Sequence, residues 1–489
     1  MGKIPSAKMI YQLSKKLATL AFILGKVYKD KSQDKTLIIE HSFGDGLYCH
    51  DSNWDTISDD LILQLDSQVR DIIHDEKISF TQSDRSEYLK ELYIENDQAK
   101  IEVVNKWQSD SIPVVTLNGY RDIRIEPMET DMSKLLPFKL QSYKEGLLLR
   151  IPTQLAPDIV RPFKDRPKLF SVIEEREQWG SILNISTIQE VNETIRNGEI
   201  RELMWVAEGL HENKLSQIAN EIVLSFPEKK VICIAGPSSS GKTSFARRLG
   251  IQLRVNGFKT HLISMDDYFI DRKDIPVTED GTQDFESVEA LNTELLCDRL
   301  KILLAGESIP RRKFDFETGI GIDSDEEIQL GEWDLILMEG IHGLNPKLSE
   351  QFGKEHLVQI YVSAITQLNI DDHHRMSTSD NRLLRRIVRD YQFRGYSPDE
   401  TLERWPSVRL GEEKNIFPFQ EEADFMFNTA LIYEFPTLAK IAKPILEEIQ
   451  TEEAKRLTAL LHLFEELDAE KIPGISILRE FIGGSDFEY

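Results

Sequence analysis

VICIAGPSSSGKTSF, residues 231–245, runs from a short apolar stretch through a glycine-rich loop into the start of a helical pattern. Gly236, Pro237, Ser238, Ser239, Ser240, Gly241, Lys242 and Thr243 satisfy G-x-x-x-x-G-K-S/T in the strand–loop–helix context that spacing requires. The glycines let the backbone turn tightly, so that successive N–H groups face phosphate oxygens. Lys242 adds a positive charge toward the β- and γ-phosphates, and the Thr243 hydroxyl is a magnesium ligand. With Ser244 on the first helical turn, these residues form the expected ATP site.

Such a loop needs an open sheet behind it. After VICIA, the runs THLISM, WDLILME and LVQIYVSA alternate with helical segments such as SVEALNTELLCDRLKILLAG. That alternation predicts an α/β domain with a mostly parallel sheet and helices on both faces.

Some 230 residues come first. Residues 9–28 read as a helix, LIIEHS and GLYCHD as strands joined at Gly44 and Gly46, and 55–76 as a helix with apolar positions three and four apart. IPVVTLN and GLLLRIP add strands, making an α+β module. Pro152, Pro157, Pro162 and Pro167 mark a crossing between domains. Two helical stretches follow, FSVIEEREQWGSILN and the long run VNETIRNGEIRELMWVAEGLHENKLSQIANEIV. The expected division is 1–154 for the module, 155–228 for a linker and helical subdomain, 229–440 for the phosphate-loop domain, and 441–489 for a helical extension packed on it, with a helix over 451–470.

The net charge of -25 argues against a broad nucleic-acid-binding surface, so tRNA binding is not expected. Cys49, Cys233 and Cys297 are scattered and odd in number, which supports neither a disulfide framework nor a zinc knuckle and fits a cytoplasmic protein. The apolar patch Leu17–Leu24 follows Lys15 and Lys16 and falls far short of the ~20 residues of a membrane span. It reads as a buried amphipathic helix.

HLISMDDYF places Asp266 and Asp267 beyond the carboxyl end of a strand, where open α/β sheets bind ligands. Asp266 is the candidate base for an acceptor hydroxyl and a candidate magnesium ligand, with Tyr268 beside it in the acceptor site. Asp267 either shares that work or caps the next helix. Glu339, ending WDLILME, is suited to magnesium. Asp284, Glu286, Phe314 and Asp315 offer ring faces and carboxylates to an acceptor; the phenylalanines fit core packing as well. Arg382, Arg385, Arg386 and Arg389 share one side of a helix, with Arg394 just beyond. Their guanidinium groups either clamp the transferred phosphoryl group, the role expected of Arg389 and Arg394, or form structural salt bridges. His373 and His374 lack a third ligand at metal spacing and read as surface or loop residues. No N-K-x-D signal follows, which favours ATP over a GTP switch.

GPSSSGKTSF, SMDDYF, FDF, LILMEG and RLLRRIVRDYQFRG, in that order, resemble the uridine kinase and phosphoribulokinase family. The resemblance implies phosphorylation of a nucleoside 5′-hydroxyl with ATP and Mg2+, Asp266 as catalytic acid/base, Glu339 in magnesium binding, and Arg389 and Arg394 in the lid. This chain departs from uridine-cytidine kinases at Glu286, where they carry an aspartate in F-D-H-P. It also departs at Phe314 and Gly319, where they have pyrimidine-contacting Tyr and His, and at Tyr396, where they have a further lid arginine. WVAEGLHENKLSQIA, DDYFIDR, MEGIHGLNP, GEEKNIFPFQEEADFMFNTALIYE and ILREFIGGSDFEY are similar to a long bacterial nucleoside kinase type that carries a threonyl-tRNA-synthetase editing-like module first. HSFGDGLYCHD carries the resemblance of that module. Leu13, Leu17, Arg124 and Met128 stand where the synthetase places its zinc and hydrolytic groups, so the module is expected to bind, regulate or dimerise. The resulting expectation is an ATP-dependent nucleoside kinase, uridine or cytidine by default, acting as a homo-oligomer. A kinase of another hydroxyl metabolite, such as a sugar phosphate or pantothenate, and a nucleotide-sensing RNA-associated protein are the alternatives.

Overall fold

The computed structural model describes residues 7–32, 35–277, 283–366 and 368–488. In the module, α1 (Ala7–Lys31), β1 (Leu37–Phe43), β2 (Gly46–Asp51), α2 (Asp59–Asp75), β3 (Ser79–Asp84), α3 (Arg85–Glu95), α4 (Gln98–Lys106), β4 (Ser111–Leu117), β5 (Tyr120–Ile123), β6 (Lys139–Tyr143) and β7 (Gly146–Arg150) follow one another. They build two antiparallel sheets, one ordered β1-β2-β7-β6 and the other β3-β4-β5. Local signals set the boundaries: Ser58 caps α2 by accepting from the Leu61 N–H, and Asp59 and Asp60 sit in its positively polarised first turn. Gly46 is obligatory, because a Cβ there would lie 2.1 Å from the Leu149 carbonyl oxygen of the neighbouring strand.

The linker contributes α5 (Pro167–Leu183), α6 (Ile188–Arg196) and α7 (Ile200–Leu224). The run expected as one helical stretch breaks at Asn197–Gly198, where Gly198 takes φ +78° and ends α6. The next domain holds β8 (Val231–Ala235), α8 (Lys242–Val255), β9 (Lys259–Ser264), α9 (Thr293–Leu304), β10 (Ile309–Asp315), β11 (Ile320–Ile328), β12 (Asp334–Glu339), α10 (Pro346–Phe352), β13 (Leu357–Ser363), α11 (Thr378–Phe393), α12 (Pro398–Asn415) and β14 (Phe425–Asn428). α13 (Glu434–Glu447), α14 (Glu452–Leu461) and α15 (Arg479–Ile482) complete the chain.

The central sheet is wholly parallel in the order β14-β13-β8-β12-β9, with β10 and β11 as a separate antiparallel hairpin. This is the α/β sheet with flanking helices that the sequence predicts, preceded by an α+β module. β14 adds a fifth strand that four residues of FMFN were too short to announce. The terminal helix stops at Leu461 rather than 470, and Leu463, Phe464 and Leu467 beyond it are core residues.

One apolar core runs through all four segments. Leu92, Val103 and Ile123 of the module pack with Ile188 and Met204 of the linker, Leu384 and Ile387 of α11, Leu438 of α13, and Leu457 and Phe481 of the extension. His373 and His374 lie in the loop before α11, as the sequence expects, and both are held there by carboxylates. His373 Nδ1 lies 2.8 Å from Asp122 of β5, and His374 Nδ1 lies 2.9 Å from Asp371. Glu40, His41 and Glu177 bring metal-ligand atoms within 4.8 Å of one another at the module–linker junction, but Arg176 donates to Glu40 at 2.8 Å and already supplies a cation there. Among the described residues, no helix is long and apolar enough to cross a membrane.

Candidate active site

β8 is fully buried at the centre of the sheet, flanked by β12 and β13, and its carboxyl end delivers the loop 236–241 to the sheet's switch point. Gly236 passes so close to β13 that a Cβ would sit 1.9 Å from the Val362 oxygen. Ser239 at φ +57° and Gly241 at φ +83° then reverse the chain into α8. The Lys242 ammonium lies inside the loop, donating to the carbonyls of Gly236 (3.1 Å) and Pro237 (3.2 Å).

Two loop donors face carboxylates that sequence reasoning missed. The Ser238 N–H donates to Glu412 of α12 at 3.1 Å. The Ser244 N–H and hydroxyl both donate to Glu480 of α15, at 3.0 and 2.8 Å. Ser244, expected among the phosphate ligands, is therefore engaged by the C-terminal extension. Neither glutamate has a local motif, because each reaches the loop from more than 150 residues away.

Around Lys242 the acids converge. The Ser264 hydroxyl accepts from the Asp266 N–H at 3.3 Å and fixes the turn after β9. Asp266 is solvent-exposed at the turn after β9, and crowding by protein on its inner side raises its pKa, with Lys242 and Arg394 opposing the shift. Thr243 Oγ1 lies 3.4 Å, and Ser264 Oγ 3.5 Å, from Glu339 Oε1. Burial pushes the Glu339 carboxyl up to about 7, with Lys242 working against it. A half-buried carboxylate beside two hydroxyls is a donor set that fits a hard divalent cation.

Glu286 also turns inward. Burial, reinforced by Glu412 and opposed by Arg386, raises it to about 7. Asp284 only caps its own turn, accepting from the Glu286 N–H at 3.2 Å, and Asp315 caps the β10–β11 turn through the N–H groups of Glu317 (2.8 Å) and Thr318 (3.3 Å). Residues 278–282, which include the first four of EDGTQDFESVEA, lie outside the described residues.

Three expected roles change. Asp267 is neither a cap nor a second base, since it accepts the Phe314 N–H at 3.1 Å and ties the hairpin to the Asp266 turn. Tyr268 and Phe314, expected against the acceptor, are 3% and 2% exposed and belong to one apolar cluster with Met265, Leu300 and Met338. They set the position of the Asp266 turn from behind.

The arginines of α11 divide by depth. Arg382 is buried against Glu412 and donates to the Ser238 carbonyl at 3.1 Å. Arg385 is buried against Glu434 and donates to the Thr429 carbonyl at 3.0 Å, while the Thr429 hydroxyl donates to the Ser240 carbonyl at 2.5 Å. These two are the structural salt bridges among the alternatives, and they brace the loop from beneath. Arg386, Arg389 and Arg394 gather around Asp390 at 3.2, 3.0 and 3.6 Å. Arg386 also donates to Ser238 Oγ at 2.8 Å. Burial, with Arg394 next in effect, lowers the Arg389 pKa to about 10. Three cations sharing one carboxylate leave a surplus positive charge facing the loop.

Residues 231–432 match the phosphoribulokinase / uridine kinase family. The uridine kinase of Halobacterium salinarum is 28% identical over 229 residues, 47% of this chain and 89% of that protein. The uridine kinase of Bacillus pumilus is 29% identical over 197 residues, 40% of this chain and 84% of that protein. A solved structure described as a possible uridine kinase from Bacillus stearothermophilus is 18% identical, covers 44% of this chain and 98% of that one, and has a TM-score of 0.30. Together, the loop and the family match make residues 231–432 a P-loop kinase domain, and the chain an ATP-dependent phosphotransferase acting on an alcohol group.

Proposed function

We propose that this chain transfers the γ-phosphoryl group of ATP to the 5′-hydroxyl of a nucleoside, with uridine or cytidine as the first acceptors to test. The observation that carries the reading is Asp266, exposed at the turn after β9 and within electrostatic reach of Lys242 and Arg394. Its raised pKa brings it nearer to the hydroxyl proton it must accept.

In this reading the phosphate loop and Lys242 hold the β- and γ-phosphates, and Asp266 takes the acceptor's proton as its oxygen attacks the γ-phosphorus. The charge that develops on the transferring group meets Lys242, Arg389 and Arg394, already in place before reaction. Thr243 and Glu339 would hold Mg2+, with Asp266 within the same cluster; the ion supplies charge neutralisation between the phosphates. Glu286 faces the same space with a carboxyl near neutrality, able to donate to or accept from vicinal sugar hydroxyls.

The test is ADP formation by the full chain against a panel of nucleosides, sugar phosphates and pantothenate. Nucleoside-stimulated turnover that Asp266→Asn abolishes supports the reading. ATP hydrolysis at the same rate with and without every acceptor would sink it, and stimulation by a sugar phosphate alone would reassign the acceptor.

A further inference from the structure

A cavity of about 810 Å3 lies where the module meets the kinase domain, within the size range of small-molecule sites. Its apolar walls include Leu17 and Phe22 of α1, Leu47 of β2, Leu169 and Ile173 of α5, and Trp405 of α12. Module, linker and kinase domain each supply a side, so the space exists only in the assembled chain.

Carboxylates, Glu126, Asp380, Asp399 and Glu403 among them, share this lining with several arginines, two of which approach one turn. Arg375 and Arg166 both line it and both approach the β1–β2 turn. Arg375 Nη2 donates to Ser42 Oγ at 2.7 Å, and Arg166 Nε lies 3.9 Å from the place a Cβ on Gly44 would occupy. Among the described residues, neither guanidinium has a carboxylate oxygen within 4.0 Å, whereas the neighbouring Arg382 and Arg456 are paired with Glu412 and Asp380. Burial lowers the pKa of both Arg166 and Arg375. Both are half-buried with no carboxylate in contact, and an anion placed between the two would offset the cost of their partial desolvation. The cavity offers no cysteine, and its histidines His373 and His374 are engaged by Asp122 and Asp371.

The same space touches the phosphate loop at one remove. Arg382 lines the cavity, lies over the Trp405 ring at 5.3 Å, and donates through Nε to the Ser238 carbonyl of the loop. Thr378 and Ser379, in the first turn of α11, also line it, and the far end of that helix carries Arg386 and Arg389. A ligand that shifts α11 or Arg382 alters the loop's support and the arginine cluster together.

We propose that the junction cavity is an effector site for an amphiphilic anion, a small aromatic or apolar molecule bearing a carboxylate or phosphate held by Arg166 and Arg375, and that its occupancy changes nucleotide affinity at the phosphate loop. The experiment is calorimetric titration of the full chain with 1-naphthyl phosphate, 1-naphthoate and uncharged 1-naphthol, each in the presence and absence of excess Mg2+–ADP. Expected are one saturable site for at least one of the two anions, much weaker binding of the naphthol, and persistence of the anion site with ADP present. Which anion binds more tightly identifies the headgroup. In the Arg166→Gln/Arg375→Gln variant the dissociation constant rises at least tenfold. Reciprocally, the bound anion changes the ADP dissociation constant by the factor that ADP imposes on the anion. Absence of saturable anion binding, competitive displacement by ADP, an unchanged constant in the variant, or an ADP affinity indifferent to the anion overturns the proposal. Should the double variant lose its thermal transition, Ala18→Phe fills the cavity from α1 without touching either charge. An unchanged anion affinity in that variant is equally fatal. None of these measurements involves an acceptor, so the proposal and the nucleoside reading fail separately.

Discussion

Arg385 Nη2 and Glu434 Oε2 lie 2.6 Å apart, joining α11 to α13 through an ion pair whose side chains are 0% and 1% exposed. Glu434 also accepts from Asn381 Nδ2 at 2.8 Å and from the Leu431 N–H at 3.2 Å. Glu434→Gln keeps the shape and strands a buried guanidinium. We expect a loss of about 3–5 kcal/mol in urea unfolding. Replacing both residues by leucine removes the stranded charge but recovers only part of that loss, because Asn381, the Leu431 N–H and the Thr429 carbonyl lose their partners. A single-variant loss below about 1 kcal/mol would mean that water had entered to replace the partner.

Asp266→Asn separates chemistry from binding. The amide cannot accept the acceptor's proton, so kcat falls by about 10²–10⁴ while the KM for ATP stays within about twofold. Stability is unchanged or improved, since the carboxyl it replaces is held in surroundings that disfavour its charge. Steady-state kinetics and a thermal melt read both. A variant that loses ATP affinity and keeps kcat would reassign Asp266 to nucleotide binding.

The parts of this site written in one short stretch were legible, and the parts assembled from distant stretches were not. The loop from Gly236 to Thr243 carries its own spacing, and β8, β12 and β13 are fully or largely buried runs of β-branched and aliphatic residues, while the edge strand β9 buries only Ile263, so their type was fixed locally. Helix α11 was equally clear, but spacing placed Arg382, Arg385, Arg386 and Arg389 on one side without revealing depth. Depth depends on Glu412 and Glu434, which arrive from other helices. Glu480 was invisible for the same reason. Tyr268 and Phe314 looked like acceptor contacts because an aromatic ring beside a catalytic turn serves a cleft or a core equally well, and only the packing of β10 against that turn separates the two.

Glu480 reaches the first turn of α8 from the C-terminal extension and holds the Ser244 N–H and hydroxyl that a nucleotide's phosphates would otherwise meet. A carboxylate and a phosphate compete for one set of donors at a helix N-terminus. Glu480→Ala therefore tightens ADP, by about three- to tenfold in a direct binding titration. Weaker ADP binding would show instead that the extension holds the loop open for its ligand.

Arg394 tests the arginine cluster without disturbing the fold. Its side chain is 51% exposed and 3.6 Å from Asp390, so Arg394→Ala alters stability by no more than about 0.5 kcal/mol. If it meets the transferring phosphoryl group, kcat falls by at least about tenfold, and the ATP KM changes less. An unchanged kcat would remove Arg394 from the mechanism and leave Arg386 and Arg389 to carry the charge.

The Glu339 carboxyl supplies a pH signature. Its ordinary value of 4.5 is raised to about 7 in the folded chain, so the folded state holds its proton more tightly than the unfolded state does. The associated stability is fully present below about pH 4.5 and is lost as pH rises through about 7. Glu339→Gln cannot ionise, so the variant gains on the wild type across that window. The two melt alike near the acid end, and the variant is the more stable above pH 7 when no divalent cation is added. Mg2+ should reverse the order at high pH, because only the carboxylate can bind the ion that offsets its charge. Thermal melts at several pH values, with and without Mg2+, measure both effects. Parallel wild-type and variant curves at every pH would show that Glu339 does not titrate in this window, and the magnesium assignment would then have to move to Asp266.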